Sequence, residues 1–200
     1  MPLYLLRHGQ AAAGAEDLDP GLSEMGHAQA RAAASWLRDK NVGRLVVSPL
    51  RRCRETAEPI AAALGLLPEV REEVAEVFDS AMPATERMQM IGPFMAGTWA
   101  EQPEGLRAWR RRVTAAVLGF TLDAAAAGHD VVVVSHYIAI GVAIGAALGD
   151  DRVVPAAMAN ASITQLEGKD GRLTLLEAVS VAHLAPEQVT GLGSAIAGRG

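Results

Sequence analysis

Two histidines and several arginines stand directly behind apolar runs in this chain. Arg7-His8-Gly9 follows Leu3-Tyr4-Leu5-Leu6, Ser48-Pro49-Leu50-Arg51-Arg52 follows Arg44-Leu45-Val46-Val47, and Ser135-His136 follows Val131-Val132-Val133-Val134. An imidazole attacks as a nucleophile only when neutral, and positive charge beside it lowers its pKa and keeps it so. Guanidinium groups also neutralise the equatorial oxygens of a transferring phosphoryl group, which is most of what phosphoryl transfer asks of a protein. Arg7 and Arg52 would do both. Singly each is a weak signal: an Arg-His-Gly tripeptide arises by chance, and a histidine at a strand end more often satisfies a structural hydrogen bond. Arginines in a first helical turn are usually solvated. What they share is position.

The elements that must hold them follow from pattern. Residues 3–6, 44–47 and 131–134 are, Arg44 apart, apolar without alternation, as strands of a sheet covered on both faces must be. Ser23 and Glu24 open a predicted helix from Met25 to about Lys40. Ser48 and Pro49 take the N-cap and first position of a second, which runs through Ala63 to Gly65. Tyr137 to Leu148 forms a third, ended by Gly149. Strands alternating with helices predict an α/β domain with a largely parallel sheet, whose ligands bind at the carboxyl ends of the strands. All three polar segments fall there. Residues 78–105 break this rhythm with prolines, glycines and methionines, as a cap or lid would; a helix resumes from Leu106 to Ala127. Residues 162–166 and 172–179 read as an edge hairpin, and residues 191–200, with four glycines, as a flexible tail.

With 200 residues, half of them apolar and only 4% aromatic, the chain can bury one large core of Ala, Val, Leu and Ile. The net charge of −5 argues against a nucleic-acid partner, which calls for a basic face. Any phosphate chemistry is therefore local. Lys40 and Lys169 are the only lysines among 18 basic residues, so the positive charge is nearly all guanidinium, suited to bidentate phosphate contacts. The lone Cys53 and the absence of a charged, then apolar, N-terminus predict a cytoplasmic protein. The apolar run 138–148 is too short to span a bilayer and holds Gly141 and Gly145, so no membrane association is expected.

Further blocks stand in compatible order: Leu-Arg-His-Gly-Gln at 6–10, Leu22-Ser23-Glu24-Met25-Gly26 with Gln29-Ala30, Ser48 to Arg52 with Thr56-Ala57-Glu58, Val134-Ser135-His136, and Asn160-Ala161-Ser162-Ile163. Together they cover residue 3 to about residue 180, and the sequence resembles the histidine phosphatase superfamily. The resemblance implies a three-layer α/β/α, phosphoglycerate-mutase-like fold over residues 1–190 with a small cap insertion at about 78–105. It implies a phosphomonoester hydrolase that works through a phosphohistidine on His8, with Arg7, Arg52 and His136 holding the phosphoryl oxygens. Arg52 is preferred to Arg51 because the family's arginine follows Ser-Pro-Leu by two places. Val74-Ala75-Glu76 best matches the family's proton-donor pattern, with Glu73 and Asp79 as alternatives. Gln10 and Tyr137 are candidate substrate contacts. Tyr137 stands where a glycine often follows the second histidine, and Gly14 where many mutases carry asparagine; both bear on specificity. No metal or cofactor is expected, the partner is a small phosphorylated substrate, and the oligomeric state stays open, a homodimer included.

Rival chemistries fare worse. A thiol phosphatase needs Cys-x5-Arg, and the sixth residue after Cys53 is Pro59. No Gly-x-x-x-x-Gly-Lys loop or Gly-x-Ser-x-Gly elbow is present, and Gly191-Leu-Gly193 completes no dinucleotide fingerprint. His27, His129 and His183 have no sequence partners at metal-ligand spacing. Two alternatives use the same scaffold: a cofactor-dependent phosphoglycerate mutase, and a catalytically silent phospho-ligand binding protein.

Overall fold

The chain is described by a computed structural model over residues 1–12, 17, 19–78 and 84–192, without the side chains of residues 84–88. Gly14, Asp79 and Met82, and the tail from residue 193, lie outside the described residues. Among the described residues six strands form one sheet in the order β3-β2-β4-β1-β5-β6. They are β1 (Leu3–Arg7), β2 (Val42–Val47), β3 (Pro68–Val70), β4 (Asp130–Ser135), β5 (Ile163–Lys169) and β6 (Arg172–Ser180). The first four strands in that order run parallel, and β5 and β6 close one side antiparallel.

The uninterrupted apolar runs have the cause expected of them, because the sheet is covered on both faces. Tyr4, Leu6, Leu45, Val47, Val132 and Val134 face α1 (Glu24–Leu37) and α2 (Arg51–Leu64). Leu3, Leu5, Val46, Val131 and Val133 face α4 (Glu104–Ala127) and α5 (Tyr137–Leu148). Each fully buried Val or Leu side chain contributes roughly 1.5–3 kcal/mol. This mixed α/β, three-layer arrangement is the predicted fold class.

Local signals acted largely as read. Ser23 caps α1, accepting from Gly26 N, and Gly65 and Gly149 end α2 and α5 in the left-handed region. The edge hairpin turns at Asp170 (φ 51°) and Gly171 (φ 73°), both positive as a two-residue type I′ turn requires. One cap differs. The second helix starts at Arg51 with Leu50 as N-cap and no side-chain cap bond, because the Ser48 hydroxyl lies 2.6 Å from His136 Nε2. The cap-like stretch also departs from expectation. It carries a helix, α3 (Ala84–Ala96), and Phe94 and Trp99 are buried in the core beside α4 and α5, where the ring centroids of Phe94 and Trp99 lie 5.6 Å apart. Strand β3, three largely exposed residues opened by a proline, has too little apolar pattern to be read from sequence.

Candidate active site

Strands β2, β4 and β1 are neighbours, so their carboxyl ends lie side by side, and hydrogen bonding continues past each strand. Arg7 pairs with Ser135 in register, His8 N donates to Ser135 O and Ser48 N to Val134 O, both at 3.0 Å. This places His8 beside His136, their ring centroids 5.3 Å apart. His8 Nδ1 lies 2.8 Å from Gly9 O. A carbonyl only accepts, so Nδ1 carries the proton and the lone pair sits on Nε2. Arg52 Nε approaches that Nε2 at 3.3 Å, and Arg52 Nη2 lies 3.2 Å from His136 Nδ1. A guanidinium only donates, so His136 accepts at Nδ1 and its Nε2–H points to Ser48 Oγ. Gly9 O and Arg52 thus set the tautomer of His8, and Arg52 that of His136.

Electrostatics keep both rings neutral. His8 is pushed down to about 3 by burial first, then by Arg52 and Arg7, against the Gly9 carbonyl. His136 is lowered well below its ordinary value by burial, the neighbouring His8 and the same arginines. Arg7 Nη1 donates to Met158 O at 2.5 Å, and its guanidinium lies 4.8 Å from the centre of the Tyr137 ring. Arg7 Nε is buried without a partner among the described residues.

Glu76 sits after the short 3-10 turn Glu72–Val74, in a loop docked on the same strand ends. Arg71 N donates to Val47 O at 2.9 Å and Ser135 Oγ to Val74 O at 2.7 Å. Burial raises the Glu76 pKa against the opposing pull of the Val77 N–H, Arg52 and Arg7. Glu73 is turned away into an ion pair with Arg71 at 2.6 Å, which lowers its pKa. Arg51 likewise pairs with Glu55 at 2.7 Å on the helix surface.

Of the sequence candidates, the structure therefore gathers Arg7, His8, Arg52, His136 and Glu76. Tyr137 gives one ring face to Arg7, and its hydroxyl lies 3.4 Å from Ala156 O. The Gln10 Oε1 accepts from Ser23 Oγ at 2.9 Å, so that end of Gln10 serves the start of α1. Four contributors went unread. Asp19 accepts from Arg51 N at 2.9 Å and lies 3.9 Å from Arg52 Nη1. Thr56 accepts from Gly9 N at 3.0 Å and donates to Arg52 O at 2.7 Å. Ser48 and Ser135 hold His136 and the Glu76 loop. Thr56 and Ser48 stood inside the family-like blocks, but only their burial and partners reveal what they hold. Among the described residues no group of three or more His, Cys, Asp or Glu side chains gathers as a metal site would require. No described helix is long and apolar enough to cross a membrane.

Sheet order, paired histidines and arginine frame define one class of protein. The model of the histidine phosphatase superfamily (branch 1) matches residues 3–180, and the chain belongs to that family. Among solved structures, mycobacterial hydrolase 1 is 28% identical with a TM-score of 0.70, over 90% of this chain and 98% of its own. Mycobacterial glucosyl-3-phosphoglycerate phosphatase is 27% identical with a TM-score of 0.68, again over 90% of this chain and 98% of its own. Phosphoserine phosphatase from Entamoeba histolytica, solved with 3-phosphoglyceric acid, is 21% identical with a TM-score of 0.73 over 92% of this chain and 99% of its own, a likeness of fold. No curated protein is a significant match.

Proposed function

We propose that this protein hydrolyses small phosphomonoesters through a phosphohistidine on His8. The observation that carries the reading is the state of that ring: Nδ1–H is held on Gly9 O, Nε2 bears the lone pair, and burial and two arginines keep it unprotonated. His8 Nε2 attacks phosphorus, the P–O bond to the alcohol breaks, and the leaving oxygen takes the proton of Glu76, whose pKa burial raises. Water then attacks the phosphohistidine, Glu76 recovers a proton from it, and His8 Nε2 is released with its lone pair. Arg7, Arg52 and His136 hold the equatorial oxygens, so charge neutralisation is done by guanidinium and imidazole N–H without a metal. His136 takes part through its other tautomer, in which Nε2 accepts from the Ser48 hydroxyl and Nδ1–H donates to a phosphoryl oxygen once Arg52 has turned to the anion. Gln10, through its amide nitrogen, and the free edge of Tyr137 border the leaving group.

Hydrolysis is favoured over a mutase by relatives at 27–28% identity that are named as a hydrolase and a phosphatase. The likeness to a glucosyl-3-phosphoglycerate phosphatase supports small phosphorylated acids as the first substrates to try. The test is a phosphomonoester panel with excess EDTA, followed by an alkaline quench and mass spectrometry. Turnover should survive chelation, an acid-labile phosphate should be found on His8, and His8→Ala should lose activity by on the order of a thousandfold or more. Full activity in His8→Ala, or exchange between 2- and 3-phosphoglycerate outrunning phosphate release, overturns the reading.

A further inference from the structure

Past Ser180, where the family match ends, the chain returns to the site. Leu184 is buried against α1 and α2, with Val181 and Val189 packed beside it. After the turn Pro186–Gln188 the backbone is tied down by Gln29, which is wholly buried. Three of the four hydrogen-bonding positions of that amide are used: Oε1 accepts from Gln10 N at 2.8 Å, and Nε2 donates to Gln188 O at 2.7 Å and to Thr190 Oγ1 at 2.9 Å. Thr190 Oγ1 donates in turn to Asn160 Oδ1 at 3.2 Å, and Asn160 N donates to Thr190 O at 2.9 Å. Gly191 follows at φ +82°, so close that a Cβ there would stand 2.3 Å from Asn160 Oδ1 and 3.3 Å from Arg7 Nη1. The next residue after Asn160, Ala161, is itself held in the left-handed region (φ 54°) with its N–H on His8 O at 3.2 Å. A buried chain of hydrogen bonds of this kind fixes geometry, because breaking one link leaves the others unpaired. It runs from the loop that carries His8 to Asn160 and Gly191, which stand beside the Arg7 guanidinium, whose buried Nε has no partner among the described residues.

We propose that residues 188–191 form a wall of the phosphate site, with Gln29, Thr190 and Asn160 acting as positioning residues that hold Arg7 toward its anion. The inference rests on the reading in which Arg7 binds the phosphoryl oxygens. Only Gly fits at the end of this wall, since any side chain would enter the space of Asn160 and Arg7 in a conformation already unfavourable to it.

The test measures inorganic phosphate binding by calorimetry and steady-state hydrolysis of an aryl phosphate, on the full chain. Thr190→Val keeps the shape and removes the hydroxyl, and should weaken phosphate binding about fivefold and raise KM more than it lowers kcat. Thr190→Ser should stay within about twofold of the wild type, since the hydroxyl and its bonds remain. Gly191→Ala should weaken phosphate binding more than Thr190→Val does; if it fails to fold, the Thr190 pair decides. Wild-type affinity in Thr190→Val, equal losses in Val and Ser, or no phosphate binding by the wild type overturns the inference. A wild type that binds phosphate but hydrolyses nothing sinks the hydrolase reading instead, and the phosphate affinities still decide this one.

Discussion

At the scale of single residues the site separates two titrating groups by environment. Positive neighbours and burial press His8 down to about 3, while burial lifts Glu76 above its ordinary value. Between them lies a pH range in which the nucleophile is free of its proton and the acid still holds one. For alkyl phosphates, kcat should therefore fall as the pH rises through the raised Glu76 pKa, because the leaving alkoxide then departs unprotonated. An activated aryl phosphate, whose phenolate leaves unaided, should not show that limb. Glu76→Gln should remove it and slow alkyl substrates by roughly a hundredfold, with aryl substrates little changed. Equal losses on both substrates would remove Glu76 from the role of acid.

Among elements, the decisive contact is between the first turn of α1 and the loop after β1. A Cβ on Gly26 would stand 2.1 Å from Gln10 O, and one on Gly9 would stand 2.6 Å from Gly26 O. The helix backbone lies directly on the loop that presents His8, and neither partner is a side chain that could swing aside. Gly26→Ala gains helix propensity of about 1 kcal/mol, yet should be destabilised by about 1–3 kcal/mol overall and lose activity with it. Gly119 in α4 supplies the comparison, since a Cβ there meets nothing within 4 Å. Gly119→Ala should be stabilised by about 0.5–1 kcal/mol and keep full activity. Urea unfolding of the two variants beside the wild type decides the matter, and a stable, active Gly26→Ala would mean that the loop does not depend on α1.

For the molecule as a whole, a site of buried neutral histidines sets the response to acid. Well above pH 6.5 neither the folded nor the unfolded chain protonates these rings, and they do not affect stability. As the pH falls from about 6.5 toward 3, the unfolded chain takes up protons that folded His8 and His136 refuse, so stability falls. His8 alone should account for about 2 kcal/mol at pH 5. Glu76 works in the opposite sense, since its raised pKa makes the folded state the better proton acceptor, and that contribution is lost as the pH rises. Denaturant midpoints at pH 7 and pH 5 should show a smaller drop in a His8→Asn, His136→Asn double variant than in the wild type. An unchanged drop would mean that the two rings are not the acid-sensitive groups.

What the sequence determined by itself was whatever depends on near neighbours and on order. Unbroken valine runs specify strands buried on both faces, Gly65 and Gly149 specify helix ends, and Asp170-Gly171 a tight turn. Polar residues that follow a parallel strand must emerge at its carboxyl end, so Arg7, His8, Arg52 and His136 could be placed on one edge before any coordinate. Tertiary structure decided everything that turns on the distance between remote positions. That Arg52 bridges both histidines, that Glu73 pairs with Arg71 while Glu76 sits half-buried near Arg7 and Arg52, and that Ser48 holds a ring instead of capping a helix are choices made by packing. Phe94 and Trp99 lay hidden in a stretch with weak periodicity because their partners are on α4 and α5, not in the stretch itself. The strap at residues 188–191 carried no local signal at all: its meaning comes from Gln29, more than a hundred and fifty residues earlier, and hydrogen bonds across such a span exist only once the sheet has brought both ends of the chain to the same edge.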